Sequence, residues 1–251
     1  ENDLRRALRT NELYLDYQPQ FDLESGKLSG YEALVRWWHP TEGDMPPSTF
    51  IPIAEETGLI APLGEWILRT ACTYAATWED DLSLAVNLSP AQFKTQDIEA
   101  IVKKVLAETG LEPHRLELEI TEATLLQNTD AVMDTLTRLD QLGVSIAMDD
   151  FGTGYSSLSY LTRFPVKKIK IDRSFIETLG VSPQTSAIVS SIVGLGQSLH
   201  VTITAEGVET EDQAEMLKQW GCDQVQGDFY GRPEPEVPES EEARRDHPLV
   251  A

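Results

Sequence analysis

The sequence predicts an α/β protein with a (βα)8 barrel of the TIM type. The chain has 251 residues, about the length of one such barrel. Short apolar segments alternate with helical patterns along the chain, as they do when helices cover a parallel sheet. Hydrophobic residues make up 41% of the chain, which is enough for a core of that size. We expect one barrel domain over residues 1–235 and a charged, flexible tail over residues 236–251.

Several segments have the length and pattern of β-strands. They are LYLDYQ (13–18), KLSGYEALVRW (27–37), LSLAVNL (82–88), RLELEI (115–120), SIAMDD (145–150), KKIKI (167–171), VTITAE (201–206) and CDQVQ (222–226). Only residues 19–26, which end in the short ESG link, lie between the first two segments, so the first strand can run antiparallel. Among the helical segments, AQFKTQDIEAIVKKVLAETG is predicted as one helix, with Ser89 as its N-cap and Pro90 at its first position.

Composition narrows the classes of partner. A net charge of −22 leaves no basic surface for a nucleic-acid polymer, although metal ions could help a small phosphate ligand to bind. Two cysteines, Cys72 and Cys222, are typical of buried thiols in a reducing compartment. The N-terminus has no signal-peptide pattern, and Glu65 and Arg69 interrupt the most apolar segment, so we expect no membrane contact. We expect a cytoplasmic domain of a longer protein.

Strand parity predicts a polar interior at one end of the barrel. Alternate residues of a strand face opposite sides. In LSLAVNL the leucines and Val86 must face the helices, which leaves Asn87 facing inwards. Other strands repeat this pattern near their C-terminal ends, where barrel enzymes have their active sites. The inward-facing residues are Glu32, Asn87, Glu119, Asp149, Lys170, Glu206 and Gln226.

So many acids in one place suggest bound cations. Like charges close together raise each other's pKa unless cations compensate them, and oxygen ligands suit Mg²⁺ or Mn²⁺ better than zinc. Asp149 would end its strand facing inwards and bridge two ions, and Asp150 would begin the loop and reach the second ion. Two such ions can stabilise the attacking and leaving oxygens at phosphorus, with Lys170 holding the attacking water. From these residues alone, an enolase-type barrel with a lysine base remains an alternative.

An ordered set of motifs extends from about residue 3 to residue 235. It comprises YQP (17–19), YEALVRW (31–37), FIPIAEETGLI (50–60), NLSPAQF (87–93), ELEITE (117–122), DDFGTGYSS (149–157), KIKID (168–172), AEGVE (205–209) and QGDFYGRP (226–233). The set resembles the EAL-domain family of cyclic-di-GMP phosphodiesterases. The resemblance implies hydrolysis of one phosphodiester bond of cyclic-di-GMP to linear pGpG.

The resemblance also implies roles for the matching residues. A first Mg²⁺ or Mn²⁺ ion would have the ligands Glu32, Asn87, Glu119 and Asp149, and a second ion the ligands Asp149, Asp150 and Glu206. Catalytic roles are expected for Lys170, which would contact the nucleophilic water, for Glu206, a candidate general base, and for Glu32. Substrate-binding positions are matched by Gln18, Leu34, Arg36, Glu209 and Gln226. Glu122 matches the acid that steadies the DDFGTG loop.

Family members are commonly dimers, so the resemblance further implies a homodimer and an upstream regulatory domain in the full-length protein. Gly152 and Gly154 would let the DDFGTG loop move, and Ser156 or Ser157 would cap the next helix. The chain departs from the family pattern at Lys167, where Asp is usual, and at Asp228, where an aromatic residue is usual. Some members only bind cyclic-di-GMP and usually lack several metal-binding acids. Since all of these acids are present here, we expect an active hydrolase; an inactive receptor is the alternative.

Overall fold

A computed structural model of the chain describes residues 1–78, 81–126, 130–153, 161 and 163–237, with only the backbone described at 125 and 126. The strands are Leu13–Asp22 (β1), Leu28–His39 (β2), Gly43–Met45 (β3), Ser83–Leu88 (β4), Leu116–Thr121 (β5), Ser145–Phe151 (β6), Lys168–Ile171 (β7), Thr202–Ala205 (β8) and Gln224–Val225 (β9). The helices are Asn2–Ala7 (α1), Pro47–Thr57 (α2), Ile60–Ala75 (α3), Pro90–Thr95 (α4), Ile98–Thr109 (α5), Glu122–Leu126 (α6), Asp130–Leu142 (α7), Arg173–Ile176 (α8), Pro183–Leu199 (α9) and Glu211–Trp220 (α10). Among these described helices, none has both the length and the apolar character that crossing a membrane requires.

The strands β1, β2 and β4 to β9 close into a barrel, in the order β1-β9-β8-β7-β6-β5-β4-β2, with β1 paired again to β2. The first strand is antiparallel to both of its neighbours, and the remaining barrel strands are parallel. This confirms the predicted (βα)8 barrel and its reversed first strand. The physical reason is the short link over residues 23–27, because a parallel crossover needs a dozen or more residues. The short strand β3, which was not predicted, pairs with the end of β2 outside the barrel.

The two faces of the barrel strands differ as strand parity predicts. Leu84 and Val86 of β4, and Leu118 of β5, are buried in the hydrophobic core. Glu119 of β5 and Lys170 of β7 have the opposite parity, and both are fully buried. The interior of the barrel therefore contains charged side chains, whereas the apolar side chains face the surrounding helices.

The segment 91–110 forms two helices instead of the single helix that the sequence predicted. Gln96 is extended, with φ −133° and ψ 153°, and ends α4. The Asp97 carboxylate accepts a hydrogen bond from Ala100 N at 3.0 Å and caps α5. A side chain that bonds its own neighbouring backbone competes with helix continuation, which explains the break. The predicted Ser89 cap and Pro90 start of α4 are confirmed.

The packed part of the chain extends beyond residue 235. Val237 is buried, and its backbone N–H donates to Tyr74 Oη at 2.9 Å. The backbone of Tyr17 on β1 also pairs with that of Glu234. The first two residues of the segment predicted as a tail, 236 and 237, therefore continue the packed chain. The rest of that segment lies outside the described residues.

Two glycines of α9 allow a test of how closely this helix packs on β8. A Cβ added at Gly196 would lie 2.2 Å from Cγ1 of the buried Ile203, whereas one added at Gly194 would meet nothing within 4 Å. We expect Gly196→Ala to lower the free energy of unfolding by about 1–3 kcal/mol through overpacking. Gly194→Ala should raise it by up to about 1 kcal/mol through helix propensity. Urea denaturation measures both effects, and equal changes would contradict the close approach of helix and strand.

Candidate active site

Lys170 lies at the centre of the candidate active site. Its side chain is fully buried inside the barrel. The ammonium Nζ lies 2.6 Å from both Glu119 Oε1 and Glu206 Oε1, 3.2 Å from Glu32 Oε2 and 3.8 Å from Asp149 Oδ1. These acids lie on β2, β5 and β6 and directly after β8, so they converge only inside the barrel. Four of the predicted inward-facing residues thus meet around the ammonium group of a fifth.

Two amide side chains donate hydrogen bonds to the Glu32 carboxylate, and a third amide is linked to one of them. Asn87 Nδ2 donates to Glu32 Oε1 at 2.7 Å, and Gln226 Nε2 donates to Glu32 Oε2 at 2.6 Å. Gln226 Nε2 also donates to Gln18 Oε1 at 2.9 Å. The strands β1, β2 and β4 and the end of β9 thus bring these four predicted residues together.

The pKa values around Lys170 reflect burial and mutual charge. Burial, and then the neighbouring Glu32 charge, raise the pKa of Glu119 well above its usual value. Burial likewise raises the pKa of Glu206 to about 8 against the opposing effect of Lys170. For Glu32, burial is outweighed by Lys170 and by the bonds from Gln226 and Asn87, so its pKa is lowered. Burial alone would lower the pKa of Lys170, but the surrounding carboxylates raise it well above the usual value.

The two adjacent acids lie on a β-bulge at the end of β6. In the pairing of β6 with β7, Met148 lies opposite Ile169 and Phe151 opposite Ile171, so β6 contains one extra residue. Asp150 has a left-handed φ of 56°, and its N–H donates to Asp149 Oδ1 at 2.9 Å. The prediction that Asp150 already belongs to the loop is therefore wrong: the strand continues to Phe151, and the bulge releases Asp150 from strand parity. Burial, followed by the charges of Asp149 and Asp172, raises the pKa of Asp150 to about 6.

The residues around Lys170 fit divalent cations by their chemistry. Four carboxylates share one ammonium, so all four can be ionised together only when cations supply further positive charge. Both Glu119 oxygens are buried without a hydrogen bond from any described residue, although Lys170 Nζ lies close to one of them. Within the described ranges, no three Asp, Glu, His or Cys side chains form a group that could hold a metal ion in their present positions. An all-oxygen donor set with unmet acceptors and excess charge suits Mg²⁺ or Mn²⁺.

Two cavities open on either side of Leu34. The larger, of about 400 Å³, is lined by Glu32, Asp149 and Glu206 and also by the predicted residues Gln18, Glu209 and Gln226. The smaller, of about 290 Å³, is lined by Arg36 and Asn87. In this structure Arg36 Nε donates to Asp16 Oδ2 at 2.7 Å. Arg36 therefore reaches the smaller cavity while it forms an ion pair, and its role in binding phosphate stays a prediction.

Other predicted residues lie around this centre. Glu122 is buried and begins α6 immediately after β5, close in sequence to Glu119. Its role towards the DDFGTG loop stays a prediction, because Gly154, Ser156 and Ser157 lie outside the described residues. The departures from the family pattern form surface ion pairs: Lys167 with Asp140 at 3.3 Å, and Asp228 with Arg232 at 3.0 Å.

The sequence reasoning did not identify Arg173 or Gln20 as site residues. Arg173 follows β7 in KIKIDR and lines the larger cavity opposite several acids. Gln20 is fully buried and donates to Gln226 Oε1 at 3.0 Å. Strand parity could have identified Gln20, since it lies two residues after Gln18 on β1 and therefore has the same inward orientation.

The charge balance of the site predicts that two lysines of one segment contribute very different amounts to the free energy of unfolding. Lys170→Met would remove the ammonium from four carboxylates, of which those of Glu32 and Glu119 are buried, so the free energy of unfolding in EDTA should fall by about 3–5 kcal/mol. Lys167→Met, at an exposed lysine paired with Asp140, should change it by less than about 0.5 kcal/mol. Denaturant titrations measure both. A loss of similar size for the two variants would contradict the central role of Lys170.

The fold and the site together define a TIM-type barrel protein with a carboxylate-lined pocket towards the C-terminal ends of its parallel strands. The sequence pattern of the EAL domain family matches residues 1–233, and the chain belongs to that family. The resemblance noted from the motifs is thus confirmed.

Relatives of known sequence and structure agree with this assignment. The chain is 52% identical over 233 residues to an uncharacterized signaling protein of Caulobacter vibrioides. The aligned region covers 93% of this chain and 29% of that protein. It is 47% identical over 238 residues to the bifunctional diguanylate cyclase/cyclic di-GMP phosphodiesterase MucR of Pseudomonas aeruginosa, covering 93% of this chain and 35% of MucR. The solved structure of the PaMucR phosphodiesterase in complex with c-di-GMP superposes with a TM-score of 0.90 at 47% identity, over 93% of this chain and 96% of that one. The chain therefore spans about a third of these two curated relatives.

Proposed function

We propose that this chain is a metal-dependent cyclic-di-GMP phosphodiesterase domain that hydrolyses one phosphodiester bond of its substrate to give linear pGpG. The observation that carries the proposal is the complete acidic set around Lys170, in which no expected acid is replaced. Relatives support it: MucR, and also NbdA of Pseudomonas aeruginosa at 42% identity, are named cyclic di-GMP phosphodiesterases.

The proposed cofactors are two Mg²⁺ or Mn²⁺ ions. Glu32, Asn87, Glu119 and Asp149 would hold the first ion, and Asp149, Asp150 and Glu206 the second. When bound, the two cations would activate a water molecule and stabilise the attacking and leaving oxygens at phosphorus. The bulge of β6 supports this assignment, because it lets two consecutive acids turn towards the same site.

Lys170 and one of the carboxylates would have different roles in proton transfer. Lys170 has a raised pKa, so it stays protonated and donates hydrogen bonds from Nζ to the attacking water. A protonated ammonium cannot accept a proton, which leaves a carboxylate as the base. Glu206 Oε1 lies 2.6 Å from Lys170 Nζ, and Glu206 is the candidate base. Burial favours its protonated form, so bound cations would be needed to keep it as the ionised carboxylate that accepts a proton.

Substrate binding would use both cavities. A phosphate group carries negative charge, and the larger cavity is itself lined by several acids. Basic groups such as Arg36 would favour its entry without metal, and cations would favour it further when bound. Arg36 would bind phosphate from the smaller cavity, Leu34 would pack between the two cavities, and Gln18, Glu209 and Gln226 would contact the bases or phosphates.

The assembly of the protein remains a prediction. The proposed partners are cyclic-di-GMP, a second copy of the chain in a homodimer, and an upstream regulatory domain. The curated relatives leave room for such a domain, because this chain spans only about a third of MucR. A cytoplasmic location is proposed from the cysteine content alone.

The proposed hydrolysis is tested by incubating the purified chain with cyclic-di-GMP and Mg²⁺ or Mn²⁺ and separating the products. We expect pGpG from the wild type and a loss of turnover of at least about a hundredfold in Glu32→Ala, since one proposed metal ligand is removed. Binding of cyclic-di-GMP in EDTA, measured by calorimetry, is the control for correct folding. Ligand binding without any pGpG in the wild type would favour the inactive receptor instead.

A matched pair of variants tests the proposed role of Arg36. A charge-assisted hydrogen bond contributes about 1.5–3 kcal/mol, so Arg36→Met should weaken cyclic-di-GMP binding in EDTA about tenfold or more. Asp16→Asn removes the competing carboxylate at 2.7 Å, so its affinity should equal or exceed that of the wild type. If Arg36→Met bound as tightly as the wild type, Arg36 would have only its ion pair with Asp16.

A further inference from the structure

A hydrogen-bond network of buried polar side chains connects the lower interior of the barrel, around Lys168, to Glu32. Lys168 Nζ lies 2.8 Å from Glu117 Oε1 and makes a long contact of 3.5 Å with Gln20 Oε1. Gln20 Nε2 donates to Gln226 Oε1 at 3.0 Å, and Gln226 Nε2 donates to Glu32 Oε2 at 2.6 Å. All five side chains belong to residues that are buried in the barrel.

The chemistry of the two ends determines the orientation of both amides. An ammonium group can only donate hydrogen bonds, and an ionised carboxylate can only accept them. Gln20 must therefore turn its Oε1 to Lys168 and its NH₂ to Gln226. Gln226 must then turn its Oε1 to Gln20, so that its NH₂ faces Glu32. Reversing either amide would place two donors or two acceptors against each other, at a buried position where each unmet group costs about 1–3 kcal/mol.

We propose that Gln20 and Lys168 are positioning residues, which hold the Gln226 amide with its NH₂ towards Glu32 and thereby set the direction of the Glu32 carboxylate. Neither residue touches the four acids around Lys170 directly, and both act through Gln226. The orientation itself follows from the contacts in the barrel; only its consequence for a bound cation rests on the proposed function.

The same hydrogen-bond network orients Gln18. Gln226 Nε2 donates to Gln18 Oε1 at 2.9 Å, which leaves the Gln18 NH₂ to donate to the carbonyl of Gly231 at 3.2 Å. Two residues predicted to bind substrate therefore present a fixed pattern of donors and acceptors to the larger cavity. Lys168, at one end of this network, lies two residues before Lys170 and on the same face of β7.

The first test removes the donor from Gln20. In Gln20→Leu, Gln226 Oε1 loses its partner while most of the side-chain volume is kept. In wild-type protein labelled with ¹⁵N-glutamine, one Gln226 side-chain proton should be shifted downfield by its short bond to Glu32; the signal is assigned by its absence in Gln226→Glu. We expect this shift to become smaller in Gln20→Leu, because the Gln226 amide loses the bond at Oε1 that holds its NH₂ against Glu32. Mn²⁺ binding measured by calorimetry without substrate should weaken about tenfold, as for other residues that orient metal ligands.

Thr204→Val is the matched control for the loss of a buried hydrogen bond. The Thr204 hydroxyl is fully buried on β8 and donates to Gln224 Oε1 at 3.2 Å, with no link to Glu32. This variant should keep both the downfield signal and the affinity for Mn²⁺. An equal loss of the signal in Thr204→Val and Gln20→Leu, or an unchanged signal in Gln20→Leu, would overturn the proposal.

A second variant tests Lys168 without leaving a buried charge unpaired. Lys168→Met/Glu117→Leu removes the ion pair as a unit, which avoids the large loss that removal of one partner would cause. Gln20 then has no cation at its Oε1, so the Gln20 and Gln226 amides are held less firmly and the Gln226 signal should broaden or lose part of its downfield shift. A single unchanged signal would show that Lys168 does not position the amides. The signal reports on the bond between Gln226 and Glu32 directly, so its result is distinct from any failure to hydrolyse cyclic-di-GMP.

Discussion

The contact on which the site depends is the burial of one ammonium group among four carboxylates. Lys170 lies within 3.8 Å of acids from four different strands or strand ends of the barrel, and it has no exposure to solvent. Charges buried in this way are stable only when each has partners, so the position of one acid constrains the others. Only a closed sheet brings side chains from β2, β5 and β6 and from the end of β8 to one point. The fold and the charge arrangement thus require each other.

The barrel interior has two polar layers with different balances of charge. In the lower layer, Lys168 pairs with Glu117 one to one and the amides complete their bonds. In the upper layer, around Lys170, acids outnumber the ammonium, and both Glu119 oxygens lack hydrogen bonds from described residues. A layer in which every polar group has a hydrogen-bond partner is rigid. A layer with unpaired acceptors can still bind a cation or a hydrogen-bond donor. The difference between the layers explains why the part nearer the C-terminal ends of the strands is suited to a ligand.

Much of the fold and of the candidate site could be predicted from the sequence, because the side chains of a strand alternate strictly between its two faces. The parity of Asn87, Glu119 and Lys170 correctly predicted a common interior, and the short link before β2 correctly predicted the reversed first strand. The bulge at Asp150 was missed, since one extra residue in a strand leaves no mark in a hydrophobic pattern. The break at Gln96 was missed because the apolar spacing continues across it. The ion pair of Arg36 with Asp16 depends on the cross-strand register of two long strands, which the sequence did not specify.

The closure of the barrel has a consequence for how the chain folds. In the ladder between the first and the last strand, Phe21 and Asp22 pair with Val225 and Gln224, residues near the opposite end of the described chain. Contacts between such distant residues form slowly, because a long loop must close before they can stabilise it. Until β9 arrives, β1 and β8 present open edges that can pair with other chains. Truncation just before Gln224 would therefore endanger solubility more than its length suggests, since it would turn a closed sheet into an open one.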